Sequence, residues 1–169
     1  CGIAALLEGI CMLGMEQAYP EAFAARVYKI SRDAQGNRLT HVKITGGKLK
    51  VRDLLTNQTK GKGAETYWEE KVSQIRIYSG ASFRSVNEVQ AGQICALTGL
   101  NHTHSGEGLG AERDSELPVL EPVLSYQICL PDDCDVHQTY RKLLQLEEEE
   151  PELHIAWNEK KNEIYAQLM

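Results

Sequence analysis

The 169-residue sequence lacks the features that most directly assign a catalytic function. It has no G-x-x-x-x-G-K-[ST] phosphate loop. Thr45–Lys48 is similar in composition, but no upstream Gly stands at the required spacing and no helix pattern follows, so we predict a hairpin turn. There is no Gly-x-Ser-x-Gly nucleophile motif, and no apolar run approaches the roughly 18 residues of a membrane span. We therefore expect no catalytic residue in this chain and no membrane partner.

The cysteines do not form a disulfide framework or a metal-ligand pattern. There are five, at positions 1, 11, 95, 129 and 134. An odd, scattered set indicates free thiols in a reducing compartment, so we expect a cytoplasmic protein. Cys129, Cys134 and His137 are close in sequence, and His102 and His104 would point to one side of an extended chain. Neither set provides four ligands at a known spacing, and we predict no metal site.

Basic residues are absent from the first 25 positions and concentrated in the next section. Residues 26–84 carry 13 bases and five acids, a net charge of +8. Residues 85–169 carry five bases and 16 acids, a net charge of −11, within a chain whose total is −6. The middle section is therefore suited to a polyanion. The alternative is a solvated barrel whose Lys-rich strand edges oppose edge-to-edge pairing.

The apolar pattern changes twice along the chain. Residues 2–15 place Ile3, Leu7 and Ile10 at helical spacing, which predicts a short amphipathic helix. Short alternating runs separated by Gly turns follow, without a convincing helix between residues 22 and 117, and they predict a closed antiparallel β-barrel. The predicted strands are residues 22–30, 38–45, 48–55, 72–79 and 93–97.

The last section predicts a strand, a helix and two strands. The strands are residues 122–130, 153–157 and 162–168, and the helix is 135–147 with Asp135 at its start. This order is the first part of a ferredoxin-like β-α-β-β-α-β unit, so the fold class is mainly β with a truncated α+β unit. We interpret Glu147–Glu150 as a solvated helix end. Acids there oppose the helix dipole, so tertiary packing must hold that end.

The ends of the sequence suggest a piece of a longer protein. It opens on Cys1 and closes on an alternating run with no turn after it. We expect residues 1–20 to be the last helix of a preceding domain and a linker, 21–117 the barrel, and 118–169 part of a further domain. An unfinished sheet leaves an open edge, so we expect self-association through residues 118–169.

The order of several segments resembles domain II and the start of domain III of the elongation factor G family of translational GTPases. Asn37–Asp53 resembles its Gly-Arg-Leu-Thr strand and the following Ser-Gly turn, and Ala91–Leu100 its Ala-Gly-Asp-Ile strand. Thr103–Leu109 is similar to its Thr-x-x-Gly-Asp-x-Leu stretch. Leu120–Leu124 and Glu149–Leu153 are similar to the beginning of domain III and the end of its helix.

Two departures from the family pattern stand out: Arg52 replaces the Gly before the turn Asp, and Asn37 replaces the first Gly of Gly-Arg-Leu-Thr. The residues of these motifs are more similar to the TetM and TetO type of tetracycline-resistance ribosomal-protection proteins than to housekeeping elongation factor G. Residues 2–15 resemble the final helix of the GTPase domain.

The resemblance implies a parent protein that hydrolyses GTP with Mg²⁺ in a domain outside this chain, which itself would be inactive and hold no cofactor. It implies the ribosome as partner, through small-subunit rRNA and proteins, and a relay of the GTPase-domain state. The implied role is ribosomal protection; the alternatives are translocation and a non-translational adaptor. Candidate rRNA phosphate contacts, each of which could equally be a solubilising side chain, are Arg38, Lys43, Lys48, Lys50, Arg52, Lys60 and Lys62.

Overall fold

A computed structural model describes residues 2–14, 18–57, 68–115, 123–131 and 133–168 of the chain. Its two helices and thirteen strands follow one another in the order of the predicted pattern. They are α1 (Ile3–Leu13), β1 (Ala24–Arg32), β2 (Arg38–Gly46), β3 (Lys48–Lys50), β4 (Leu54–Thr56), β5 (Glu69–Lys71), β6 (Gln74–Ser79), β7 (Ser82–Val86), β8 (Glu88–Gln90), β9 (Ile94–Thr98), β10 (Gly108–Gly110), β11 (Leu124–Ile128), α2 (Val136–Glu149), β12 (His154–Asn158) and β13 (Glu163–Leu168).

Strands β1–β10 form the barrel. Six of them pair antiparallel in the order β10-β1-β2-β9-β6-β7, while β3 pairs with β8 and β4 with β5. Successive side chains of β2 alternate between the core and the outer face. Val42 and Ile44 are fully buried, while His41 and Lys43 face outward. Aliphatic side chains from the other strands, such as Ile75 of β6, complete one hydrophobic cluster. The mainly β, antiparallel fold class is confirmed.

The predicted strand over residues 48–55 is wrong in one respect. The structure divides it into β3 and β4, because the chain turns at Val51 and Arg52. Strands β5, β7, β8 and β10 were not predicted either. Three of these have only three residues, too few for an alternation of apolar and polar side chains to be seen in the sequence.

Helix α1 forms over the predicted segment, but none of its residues is buried against the rest of the described chain. Its apolar face, which includes Ile3, Leu7 and Ile10, is largely exposed. The helix ends where the Gly14 N–H donates to the Ile10 carbonyl at 2.8 Å. Met15, the last residue of the predicted helix, lies outside the described residues.

The C-terminal elements form a separate three-stranded sheet in the order β11-β13-β12. β13 is antiparallel to both neighbours, so β11 and β12 run in the same direction and are joined by α2. This is the predicted β-α-β-β arrangement, here called the βαββ unit. Asp135 caps α2 by accepting the Gln138 N–H at 3.1 Å, and Trp157 of β12 packs edge-on against His137 with ring centroids 4.6 Å apart.

A carboxylate organises the loop between β1 and β2. Asp33 accepts the backbone N–H of Gln35 at 3.0 Å and of Asn37 at 2.9 Å. It also accepts the Asn37 side chain at 3.0 Å and forms an ion pair with Arg76 at 3.0 Å. These donors, the Asn37 side chain first, lower the pKa of Asp33 from its ordinary 3.8 to about 2. The loop thus ties β6 to the β1–β2 hairpin.

We expect the Asp33 carboxyl to titrate near pH 2, and NMR of its carboxyl carbon against pH measures this. Because the folded pKa lies below the unfolded one, its stabilising contribution is present above about pH 4 and is lost as the pH falls through about 2. The Asp33→Asn variant, as control, should lose this part of the acid dependence of stability. Titration near 4 in the folded protein would contradict the assignment.

Candidate nucleic-acid interface

Three of the predicted phosphate contacts lie on one short stretch, here called the basic turn: Lys48 and Lys50 of β3, and Arg52 just after it. All three side chains are exposed, while Leu49 between the two lysines is buried in the core. The alternation of β3 therefore sends both lysines outward and anchors the strand from the other face.

A glycine fixes the approach to the basic turn. Gly47 has a φ of 56°, and its N–H donates to the Pro20 carbonyl at 2.8 Å. A Cβ at this position would meet the Glu21 carbonyl oxygen at 2.7 Å and the Phe23 nitrogen at 2.9 Å. Only glycine fits so close to another backbone segment. Thr45–Lys48 is therefore a sharp bend, but the predicted hairpin is wrong, because β3 pairs with β8 and not with β2.

Arg52 has the left-handed backbone that the glycine of the family pattern would adopt freely. Its φ is 74°, and its N–H donates to the Val72 carbonyl at 2.8 Å. Asp53 closes the turn, because its carboxylate accepts the Lys50 N–H at 2.7 Å. An L-residue is strained by about 1–2 kcal/mol in this conformation. The chain thus holds an exposed guanidinium where glycine would be less strained.

The remaining candidates are not gathered on this turn. Lys43 lies on the outer face of the six-stranded sheet, beside Arg26 of β1. Lys60 and Lys62 lie outside the described residues. Lys50 forms an ion pair with Glu88 at 3.4 Å, an exposed contact that a phosphate could replace.

Arg38 lies at the far end of β2 from Lys43 and is engaged by protein groups. Its side chain is only 12% exposed. The guanidinium donates to the carbonyl of Leu100 at 2.9 Å, to the carbonyl of Thr103, and to the Thr103 hydroxyl at 3.0 Å. It also forms an ion pair with Glu148 at 3.3 Å. Arg38 therefore joins β2, the loop before β10, and helix α2.

The acidic end of α2 docks on the barrel. Arg32 forms ion pairs with Glu148 and Glu149, each at 2.9 Å, and donates to the Gln145 carbonyl at 3.1 Å. Burial would lower the pKa of Arg32, but the hydrogen bonds to the two glutamates raise it. The expectation that tertiary contacts hold this helix end is confirmed. Its interpretation as a solvated end is confirmed in part, because Glu148 and Glu150 remain exposed while Glu147 and Glu149 are partly buried. The positive charges of Arg32 and Arg38 offset the unfavourable interaction between these glutamates and the helix dipole.

No cluster of three or more His, Cys, Asp or Glu that could hold a metal occurs in the described ranges. Cys129 and Cys134 are exposed free thiols. His102 instead pairs with Glu70 at 3.0 Å. Burial raises the pKa of the Cys95 thiol to about 12, so it stays protonated and unreactive at neutral pH.

No helix among the described residues is both long and apolar enough to span a membrane.

Comparison with known proteins finds one matching family. The family model for elongation factor G domain 2 matches residues 22–111, more than half of the chain. A crystal structure of a protein from Thermus thermophilus matches with a TM-score of 0.67 over 98% of this chain and 25% of that chain. Its sequence identity is 20%, so it establishes likeness of fold alone.

Two kinds of curated protein are similar in sequence. Elongation factor G of Amoebophilus asiaticus is 29% identical over 143 residues, covering 82% of this chain and 19% of the relative. Tetracycline resistance protein TetP of Clostridium perfringens is 28% identical over 176 residues, covering 99% of this chain and 25% of the relative. The chain thus spans about a fifth to a quarter of the length of these relatives.

We predict that Arg38→Ala lowers the free energy of unfolding by about 2–4 kcal/mol, because it leaves the carbonyls of Leu100 and Thr103 without their charged donor. Glu148→Gln should cost less than about 1 kcal/mol, since that carboxylate is partly exposed. Chemical denaturation measures both. Equal costs would show that Arg38 acts mainly through Glu148 and not through the barrel carbonyls.

Proposed function

The chain belongs to the elongation factor G domain 2 family, and from this premise we propose that it is the ribosome-contacting part of a larger translational GTPase. The observation that carries the proposal is the basic turn. Its three exposed cations stand on a backbone held by Gly47 and Asp53. Such an array is suited to rRNA phosphates, whose binding needs fixed cations and no base-specific groups.

Within this proposal, Lys48, Lys50 and Arg52 contact the phosphate backbone of small-subunit rRNA. Lys43, and Lys60 and Lys62 beyond the described residues, extend the set. Arg38 has a different role, because its donors are taken by Leu100, Thr103 and Glu148. We propose that it transmits movements of the GTPase domain between the barrel and the βαββ unit.

We propose that a domain outside this chain binds GTP with Mg²⁺ and hydrolyses the GTP, and that the protein acts in the cytoplasm. Between the two activities of such proteins, we favour ribosomal protection against tetracycline over translocation. The supporting observation is that the similarity to TetP extends over 99% of this chain. Tetracycline resistance conferred on a sensitive bacterium by the complete parent protein tests this, and no resistance would favour translocation.

Binding of the chain to isolated small ribosomal subunits, titrated over about 50 to 200 mM salt, tests the RNA contact. We expect Lys48→Gln and Lys50→Gln each to reduce the slope of log affinity against log salt by about one. Arg52→Gly should weaken binding too while raising the free energy of unfolding by about 0.5–1 kcal/mol, because it relieves the left-handed strain. If the variant is more stable but binds the subunits more weakly, the weaker binding comes from the lost contact and not from a loss of folding.

The matched control is Lys160→Gln, which removes the same charge from the exposed turn between β12 and β13. It should leave the salt slope unchanged. Binding that ignores salt, or that falls equally in the control, would refute the basic turn as the contact. No binding to subunits at all would favour an adaptor outside translation.

We further propose that the chain self-associates through β11, the edge strand of the βαββ unit. Leu124 and Tyr126 on this strand are about half exposed, and among the described strands β11 pairs with β13 alone. Sedimentation velocity should detect a concentration-dependent dimer, which Tyr126→Lys weakens by placing like charges at the shared edge. A monomer at all concentrations, or a dimer unaffected by this variant, would contradict the proposal.

A further inference from the structure

Four aromatic side chains form a continuous row across the outer face of the six-stranded sheet. The ring centroids of Tyr28 and His41 are 6.0 Å apart, those of His41 and Tyr78 6.2 Å, and those of Tyr78 and Phe83 5.4 Å. All three contacts are tilted, with interplanar angles between 43° and 52°. This set, Tyr28, His41, Tyr78 and Phe83, is called the aromatic row below.

The register of the sheet explains how four strands contribute to one row. His41 of β2 stands opposite Ala96 of β9, and Ala96 stands opposite Arg76 of β6. Alanine has only a methyl group, so the longer side chains on either side meet above it, and Ala96 is completely buried although it points outward. Tyr28 lies where the β1–β2 register shifts, between Val27 and Lys29.

The row remains substantially exposed. Tyr28 is 48% exposed, Tyr78 38% and Phe83 46%. Large aromatic side chains normally bury their rings in the core or in an interface, because each buries a large apolar area. Tyr78 and Phe83 are in contact, and Tyr28 joins them through His41. The three half-exposed rings therefore offer a surface that a planar apolar partner would cover.

Cations border the row. The Arg76 guanidinium lies 4.4 Å from the centre of the Phe83 ring and is held by Asp33. Lys29 stands opposite His41 on β1, and its side chain is about half exposed. Its ammonium lies 4.0 Å from a carboxylate oxygen of Glu150, an exposed ion pair that a phosphate could replace. The neighbours at the β7 edge are polar, with Gln74 donating to Ser85 at 2.9 Å. Rings bordered by cations and amides are suited to a partner that carries both planar groups and negative charge.

We infer that the aromatic row binds unpaired RNA, with bases stacked on Tyr78 and Phe83 and the phosphate backbone passing Lys29. Base–aromatic stacking on a β-sheet surface with adjacent cations is the usual mode of single-strand recognition, and it tolerates any base. The outer face near the row also carries Ile94, which is 54% exposed, but the half-exposed Lys29 favours a partner with negative charge over an apolar protein surface. The site is distinct from the basic turn; only the choice of RNA over DNA rests on the proposed function.

Fluorescence anisotropy with a labelled oligouridylate, and with an RNA duplex of the same length, tests the inference on the whole chain. We expect the single strand to bind more tightly than the duplex. Tyr78→Ala and Phe83→Leu should each weaken single-strand binding by about fivefold to a hundredfold. Phe83→Leu keeps an apolar side chain at an exposed position, so it removes stacking with little effect on folding, which a thermal melt verifies.

The matched control is Leu54→Ala, which deletes an apolar side chain of β4 that is about as exposed as Phe83 but lies outside the aromatic row, and it should leave binding unchanged. Equal affinity for duplex and single strand, unchanged binding by Phe83→Leu, or no binding of the single strand would each overturn the inference. Small-subunit binding that still responds to Lys48→Gln would then leave the proposed function standing. Conversely, oligouridylate binding lost with Phe83→Leu supports the row even if subunits do not bind.

Discussion

Ion pairs between arginines of the barrel and the acidic end of α2 join the two units of the chain. Arg32 pairs with Glu148 and Glu149, and Arg38 pairs with Glu148. Arg38 also donates to two backbone carbonyls of the loop before β10, which would otherwise lose their charged donor. Arg38 thus stabilises a barrel loop and, together with Arg32, the C-terminal end of the helix.

Strand β2 shows what the sequence could and could not predict. Its alternation correctly predicted a strand over residues 38–45, and the family resemblance correctly marked residue 52 as a position for glycine. The partners of Arg38 were not predictable, because Glu148 is 110 residues away and no local pattern connects them. Side-chain contacts between distant segments depend on the sheet register and the docking of α2, neither of which a periodicity contains.

The aromatic row was missed for the same reason. Tyr28, His41, Tyr78 and Phe83 come from four strands, and none of them forms a motif with its neighbours in sequence. The sequence did contain one indication of this surface. Tyr28, His41 and Tyr78 are large aromatic rings within predicted strands, at positions whose side chains the fold does not require to be buried. The barrel therefore presents two chemically different surfaces, one with cations on a tight turn and one with rings on a sheet.

The protonated thiol of Cys95 has a consequence for how this molecule can be observed. Thiol reagents reach Cys11, Cys129 and Cys134 from solvent, but they reach Cys95 only when the barrel core opens. The rate at which Cys95 is labelled therefore measures the opening of the barrel core, while the exposed thiols react without any opening and serve as the internal reference.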